Sequence, residues 1–302
     1  MKNTIHLITA LLLCLLLTAC FGNTDEAASS SIVSSMPSES VPPSKDASLD
    51  NSVEVSSLPA SSQPPLTQTI TIPEGFTLAR IAMLLEEKGF CTVEEFIAAS
   101  QEGDFSEFTL AVKMQQVEES CFKLEGILFP DTYEVYTGES PDAIIRRMLA
   151  HTEQMLGEKL MADIAASPYS VSEIFTLASI IEKEAYGAAE MNNISSVLHN
   201  RLDSGMKLQC DVTINYVEGA IKPFIDGDKD RFNSLYNTYK CPALPAGPIC
   251  NPGLDAINAA INPADTDYLF FLTDKDKNFL YAATYEVHLE NIKTAGIVVP
   301  TK

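Results

Sequence analysis

The stretch that most constrains this chain runs from Ser170 to Gly187, because it carries its own start, face and stop. Ser170 and Glu173 are spaced as a capping box, in which each side chain accepts a free backbone N–H. Ile174, Leu177, Ala178, Ile181 and Ala185 then recur at three-to-four spacing, and Gly187 is the residue a left-handed helix end favours. The spacing predicts an amphipathic helix with one buried stripe. At about 100° per residue, Glu182 and Glu184 fall on opposite shoulders of that stripe and Lys183 faces away. A carboxyl on such a shoulder is partly desolvated, which raises its pKa toward what a general acid needs. The plainer alternative is a set of solvated charges on a helix surface.

The chain opens with Lys2, an apolar run from Ile5 to Thr18, and the tetrapeptide Leu17-Thr18-Ala19-Cys20. These are the parts of a signal peptide, expected at residues 1–19. Cys20 directly after the core resembles a bacterial lipobox, which implies cleavage before Cys20 and its lipidation. The run is shorter than the roughly 20 residues that span a bilayer. An uncleaved single-pass anchor is the alternative. Residues 20–66 are rich in Ser, Pro, Asp and Glu. Such a stretch buries too little surface to offset its ordering entropy, so a lipidated, disordered tether is expected. The expected location is the extracytoplasmic face of a bacterial cell membrane.

Roughly 235 residues remain, enough for one large or two modest domains. The net charge is −21, and phosphate binding requires a basic face, so no nucleic-acid partner is expected. With Cys14 in the signal peptide and Cys20 lipidated, Cys91, Cys121, Cys210, Cys241 and Cys250 are left, an odd number in an oxidising compartment. One or two disulfides fit, with connectivity open. There is no CxxC pair and the four His are scattered, so neither a metal site nor a cofactor is expected.

Thr67 to Pro73 reads as a β-branched strand. Two helices follow, from Thr77 to Gly89 and from Val93 to Ser100. This order resembles a LysM-like module, a glycan-binding unit, over residues 67–122. A packing subdomain that touches no sugar fits equally. Beyond it, helices are expected from about Pro141 to Leu156, from Met191 to Leu202 and from Leu254 to Ile261. Strands are expected at Tyr268–Leu272 and Phe279–Ala283. The expected fold class is α+β, a small LysM-like module followed by a helix-rich catalytic domain (residues 123–302) with a small β-sheet.

Six segments stand out in order: "EGxLFPDTY" from Glu125, "LASIIEKE" from Leu177, "NRLxxGMxLQxD" from Asn200, "YNTY" from Tyr236, "LPxGPIxNPG" from Leu244 and "TYExH" from Thr284. Together they resemble the endolytic murein transglycosylase (MltG, or YceG-like) family, over about Leu124 to Gly296. The resemblance implies a lytic cut of the β-1,4 bond between N-acetylmuramic acid and N-acetylglucosamine in nascent peptidoglycan strands, beside cell-wall synthesis proteins. It assigns the catalytic role to the first Glu of "EKE", Glu182. The family usually reads Gln-Ser-Asp-Pro where this chain has Gln209-Cys210-Asp211-Val212, so one hydroxyl and the local loop shape differ.

The chemistry asks one carboxyl to act twice. As an acid it protonates the bridging oxygen while an oxocarbenium-like centre develops. As a base it then takes the proton of the muramic C6 hydroxyl, which closes on C1 to leave a 1,6-anhydro end. Glycosidases that use water place two carboxyls across the bond. Glu184 is expected to be a poor second partner, pointing about 200° around the helix from Glu182. Asp211, on another segment, would suit a hydrolytic muramidase. Gln209, Asp211, Asn237, Tyr239 and His288 are candidate substrate-binding residues, with loop scaffolding or simple packing as the alternative. Glu125, Asp131 and Tyr133 are expected to be structural, around Pro130. A catalytically inactive wall-binding lipoprotein is the rival of a different class.

Overall fold

A computed structural model of the chain describes residues 67–114 and 119–297. The expected signal peptide, lipidation at Cys20 and tether lie outside the described residues. β1 (Thr67–Thr71) pairs antiparallel with β2 (Thr132–Tyr136), with Thr67 opposite Tyr136 and Thr71 opposite Thr132. Three helices fill the chain between them: α1 (Leu78–Glu87), α2 (Val93–Glu102) and α3 (Thr109–Met114). Thr77 caps α1, and Thr92 and Glu95 form a capping box on α2. The strand expected in the LysM-like segment thus finds its partner at and just past the end of "EGxLFPDTY", beyond residue 122.

The helical part follows as α4 (Pro141–Ala166), α5 (Val171–Glu184) and α6 (Ala188–Asp203). α4 runs past its expected end near Leu156, interrupted by non-helical backbone at Gly157 with φ +60°. Then come α7 (Asp211–Tyr216), continued by a π-helical turn at Val217–Ile221, α8 (Arg231–Tyr236) and α9 (Leu254–Ile261). A hairpin of β3 (Phe270–Thr273) and β4 (Phe279–Ala282) and a last helix, α10 (Tyr285–Thr294), complete the described chain. The class is α+β, rich in helix, with small antiparallel sheets. Among the described residues no single helix is long and apolar enough to cross a membrane.

α5 forms as its spacing predicts at the start and differs at the end. Ser170 N–H donates to Glu173 Oε2 at 2.7 Å, and Glu173 N–H to Ser170 Oγ at 3.3 Å. The helix closes at Glu184, with Ala185 N–H bonded to Ile181 O. Gly187, at φ +118°, instead stands before α6. Every residue from Ile174 to Ile181 is buried, so the helix has no solvated face there and passes through the core. Its buried hydroxyls are spent locally: Thr176 on Ser172 O, Ser179 on Thr176 O, while Ser179 Oγ accepts Ile249 N–H at 2.9 Å.

Glu125 is the joint of the fold. It is fully buried, and its carboxyl accepts Leu78 N–H at 2.9 Å, Tyr216 O–H at 3.0 Å and Asn251 Nδ2–H at 3.3 Å. It therefore ties the first turn of α1, the end of α7 and the loop before α9 together. Burial pushes its pKa up to about 8. Asn251 extends the joint, accepting Leu128 N–H and donating to Phe76 O. Tyr133 donates to Phe129 O, and Asp131 meets His151 at 2.6 Å, so these residues brace the turn around Pro130. The five described cysteines are free thiols, in place of the one or two disulfides that fitted the spacing.

Candidate active site

The two carboxyls at the end of α5 enter different surroundings. Glu182 accepts the N–H of Gly253, the residue that starts α9, at 3.1 Å. The Glu74 carboxylate lies against the same glycine, where a side chain would have to displace it. Burial raises the Glu182 pKa, the Gly253 N–H opposes that, and nearby Glu74 adds to it. Glu182 thus fastens the end of α5 to the start of α9.

Glu184 turns the other way, into a pocket of about 250 Å³ walled by Arg201, Gln209, Asp211, Leu272 and their neighbours. Burial, first, and the negative charge of Asp211 push its pKa up to about 7, and a hydrogen bond from the Cys210 thiol opposes them. The wide angle between Glu182 and Glu184 is as expected. Its effect is to give Glu184, not Glu182, the company of the candidate binding residues Gln209 and Asp211.

Loop geometry explains this grouping. Gln209 holds a left-handed backbone at φ +53°, unusual for a residue with a side chain, and its side chain is exposed at the pocket. Thr238 fixes that turn: its hydroxyl accepts Cys210 N–H at 2.8 Å, and its carbonyl accepts Gln209 N–H at 3.3 Å. Tyr239 O–H donates to Asp211 Oδ1 at 2.7 Å, which orients the Asp211 carboxylate at the rim. Arg201 anchors the other side, donating to Leu208 O and Leu269 O, both at 2.6 Å. Arg201 and Thr238 were not among the expected site residues. Both lie inside the segments singled out, and burial of an arginine and a threonine there is what distinguishes them.

Two candidates go elsewhere. The Asn237 side chain accepts Tyr239 N–H at 2.9 Å, and its carbonyl accepts the N–H groups of Lys240 and Cys241, so Asn237 shapes the turn. His288 stacks on Phe270 at 5.1 Å, outside the walls of the Glu184 pocket. Burial and the Arg201 charge lower its pKa. Among the described residues no three His, Cys, Asp or Glu side chains gather as a metal site.

Residues 47–294 match the model of the YceG-like family. The chain belongs to the YceG-like family. It is 32% identical over 248 residues to a protein of Streptococcus pneumoniae named endolytic murein transglycosylase, a match covering 76% of this chain and 45% of that one. To a protein of the same name from Bacillus subtilis it is 33% identical over 226 residues, covering 72% and 62%. The chain thus spans about half to three-fifths of the length of these relatives. A crystal structure of a yceG-like protein from Listeria monocytogenes superposes with a TM-score of 0.60, at 32% identity and 74% coverage of each chain. The Glu184 pocket is therefore a feature of a YceG-like chain, with every segment that builds it inside the matched region.

Proposed function

We propose that this chain is an endolytic peptidoglycan lytic transglycosylase that cuts the MurNAc-β-1,4-GlcNAc bond and leaves 1,6-anhydro ends. Its YceG-like membership and the names of its relatives support the reaction. The carrying observation is a pocketed carboxyl with its pKa near neutrality, beside Gln209, Asp211 and Arg201. On this reading the acid is Glu184, and Glu182, expected from the motif, is the fastening that fixes the end of α5. Protonated Glu184 gives its proton to the bridging oxygen, and the sugar becomes oxocarbenium-like. The resulting carboxylate takes the proton of the C6 hydroxyl as that oxygen bonds to C1. Gln209 offers donors to sugar oxygens, and Tyr239 holds the Asp211 carboxylate at the pocket rim.

Asp211 favours a second reading. A second carboxylate beside the acid is what a water-using muramidase needs, and it would yield reducing ends instead. Mass spectrometry of digested glycan, with Glu184→Gln and Glu182→Gln in parallel, separates the cases. Anhydro products lost in Glu184→Gln and kept in Glu182→Gln support the proposal. The reverse pattern returns the acid to Glu182, and reducing ends favour the muramidase. Absence of any cleavage leaves the wall-binding lipoprotein. The remaining expectations complete the proposal: an N-terminal lipid at Cys20 on the extracytoplasmic membrane face, residues 67–122 as a LysM-like glycan-binding module, and cell-wall synthesis proteins as neighbours.

A further inference from the structure

A second hollow adjoins the first. A cleft of about 530 Å³ opens between α1, which contributes Arg80 and Met83, and the α7–π segment, which contributes Asn215, with Phe224 beyond. Lys183 closes one end, and Val212 lines both this cleft and the Glu184 pocket. No carboxylate lines it, although the chain carries a net charge of −21. Among the described residues neither Arg80 nor Lys183 forms an ion pair. The Arg80 guanidinium rests 5.6 Å from the Phe76 ring, and Lys183 Nζ donates weakly to Gly75 O at 3.4 Å, with Glu182 nearby.

Two cations in a hollow free of carboxylates focus a positive field on an otherwise acidic molecule. Guanidinium recognises a carboxylate in a planar, two-pronged fashion. The Phe76, Met83 and Phe224 walls suit small aliphatic side chains. Along a peptide-bearing strand each lactyl carboxyl is held in an amide, so the sugar rings offer hydroxyls and amides but no charge for these cations to meet. Murein offers one on the short, alanine-rich peptide that hangs from each lactyl group and ends in a carboxylate. We infer that the cleft between α1 and α7 binds the carboxylate-bearing stem peptide of a strand whose sugars lie at Glu184. This rests on the Glu184 reading above and extends it to substrate selection.

The test compares peptide-bearing strands with the same strands stripped by an amidase and then capped as lactyl methylamides, which neutralises the carboxylates the amidase frees, using the full chain and Arg80→Ala. Arg80→Ala is expected to lower kcat/KM on peptide-bearing strands roughly tenfold, mostly through KM, as for one lost charge-assisted contact. Cleavage of stripped strands stays unchanged. An equal loss on both substrates makes the cleft a sugar subsite and overturns the inference. No loss on either overturns it as well. A separate arm titrates a synthetic stem pentapeptide, and its C-terminal amide, into Glu184→Gln protein by calorimetry. Binding weakened both by the amide and by Arg80→Ala supports the cleft even if the wild type cuts neither strand, which would sink only the Glu184 reading. Absent or Arg80-independent binding overturns the cleft.

Discussion

Glu125 is a buried and Glu184 a half-buried carboxyl, with pKa values raised to about 8 and about 7, and they have opposite uses. Glu125 is sealed, its oxygens occupied by donors from α1, Tyr216 and Asn251. Glu184 opens on a pocket lined by Gln209 and Asp211, both exposed. A perturbed carboxyl is therefore no mark of catalysis by itself. Access to a hollow separates the proposed acid from the joint.

The sharpest way to break this contrast is Glu184→Gln, which keeps shape but removes the transferable proton. Cleavage is expected to fall by at least about 10²-fold, with an unchanged melting temperature or a higher one. Retained cleavage would end the assignment. Glu125→Ala should do the converse, costing about 3 kcal/mol by stranding buried donors, as read by chemical denaturation.

The pH dependence sharpens the pair further. Both carboxyls bind their protons more tightly in the folded state than the ordinary value of 4.5. Their neutral-form stability is intact below about 4.5 and is lost as pH rises, through about 7 for Glu184 and about 8 for Glu125. The slope reaches about 1.4 kcal/mol per pH unit for each group. Glu125→Gln should flatten the part between 7 and 8, while activity falls above about 7 as Glu184 loses its proton. Smaller still is Tyr239→Phe, which removes only the bond to Asp211. A loss of about 1 kcal/mol in transition-state binding, a severalfold drop in kcat/KM, is expected.

Legibility in the sequence followed the range of the forces. The α5 start was readable because a capping box acts across three residues, as were the ends of α1 and α9 and the β3–β4 pair. The β1–β2 ribbon was not, because its partners lie more than sixty residues apart and strand spacing names no partner. The α7–π segment was hidden for a related reason. Its start depends on a left-handed Gln209 that Thr238 holds from another loop. Glu182 and Glu184 are symmetric about the helix stripe in one dimension. Only Gly253, arriving from α9, and the 208–211 loop tell them apart.

The β1–β2 ribbon also sets how this molecule answers a pull. β1 is the first described element, so tension drawn through the chain before residue 67 enters at the Thr67–Tyr136 pair. That two-stranded ribbon is loaded before α1, and the Glu125 joint comes next. Strain entering at residue 67 would therefore be absorbed by this short zipper, leaving the Glu184 pocket undistorted until the zipper has opened.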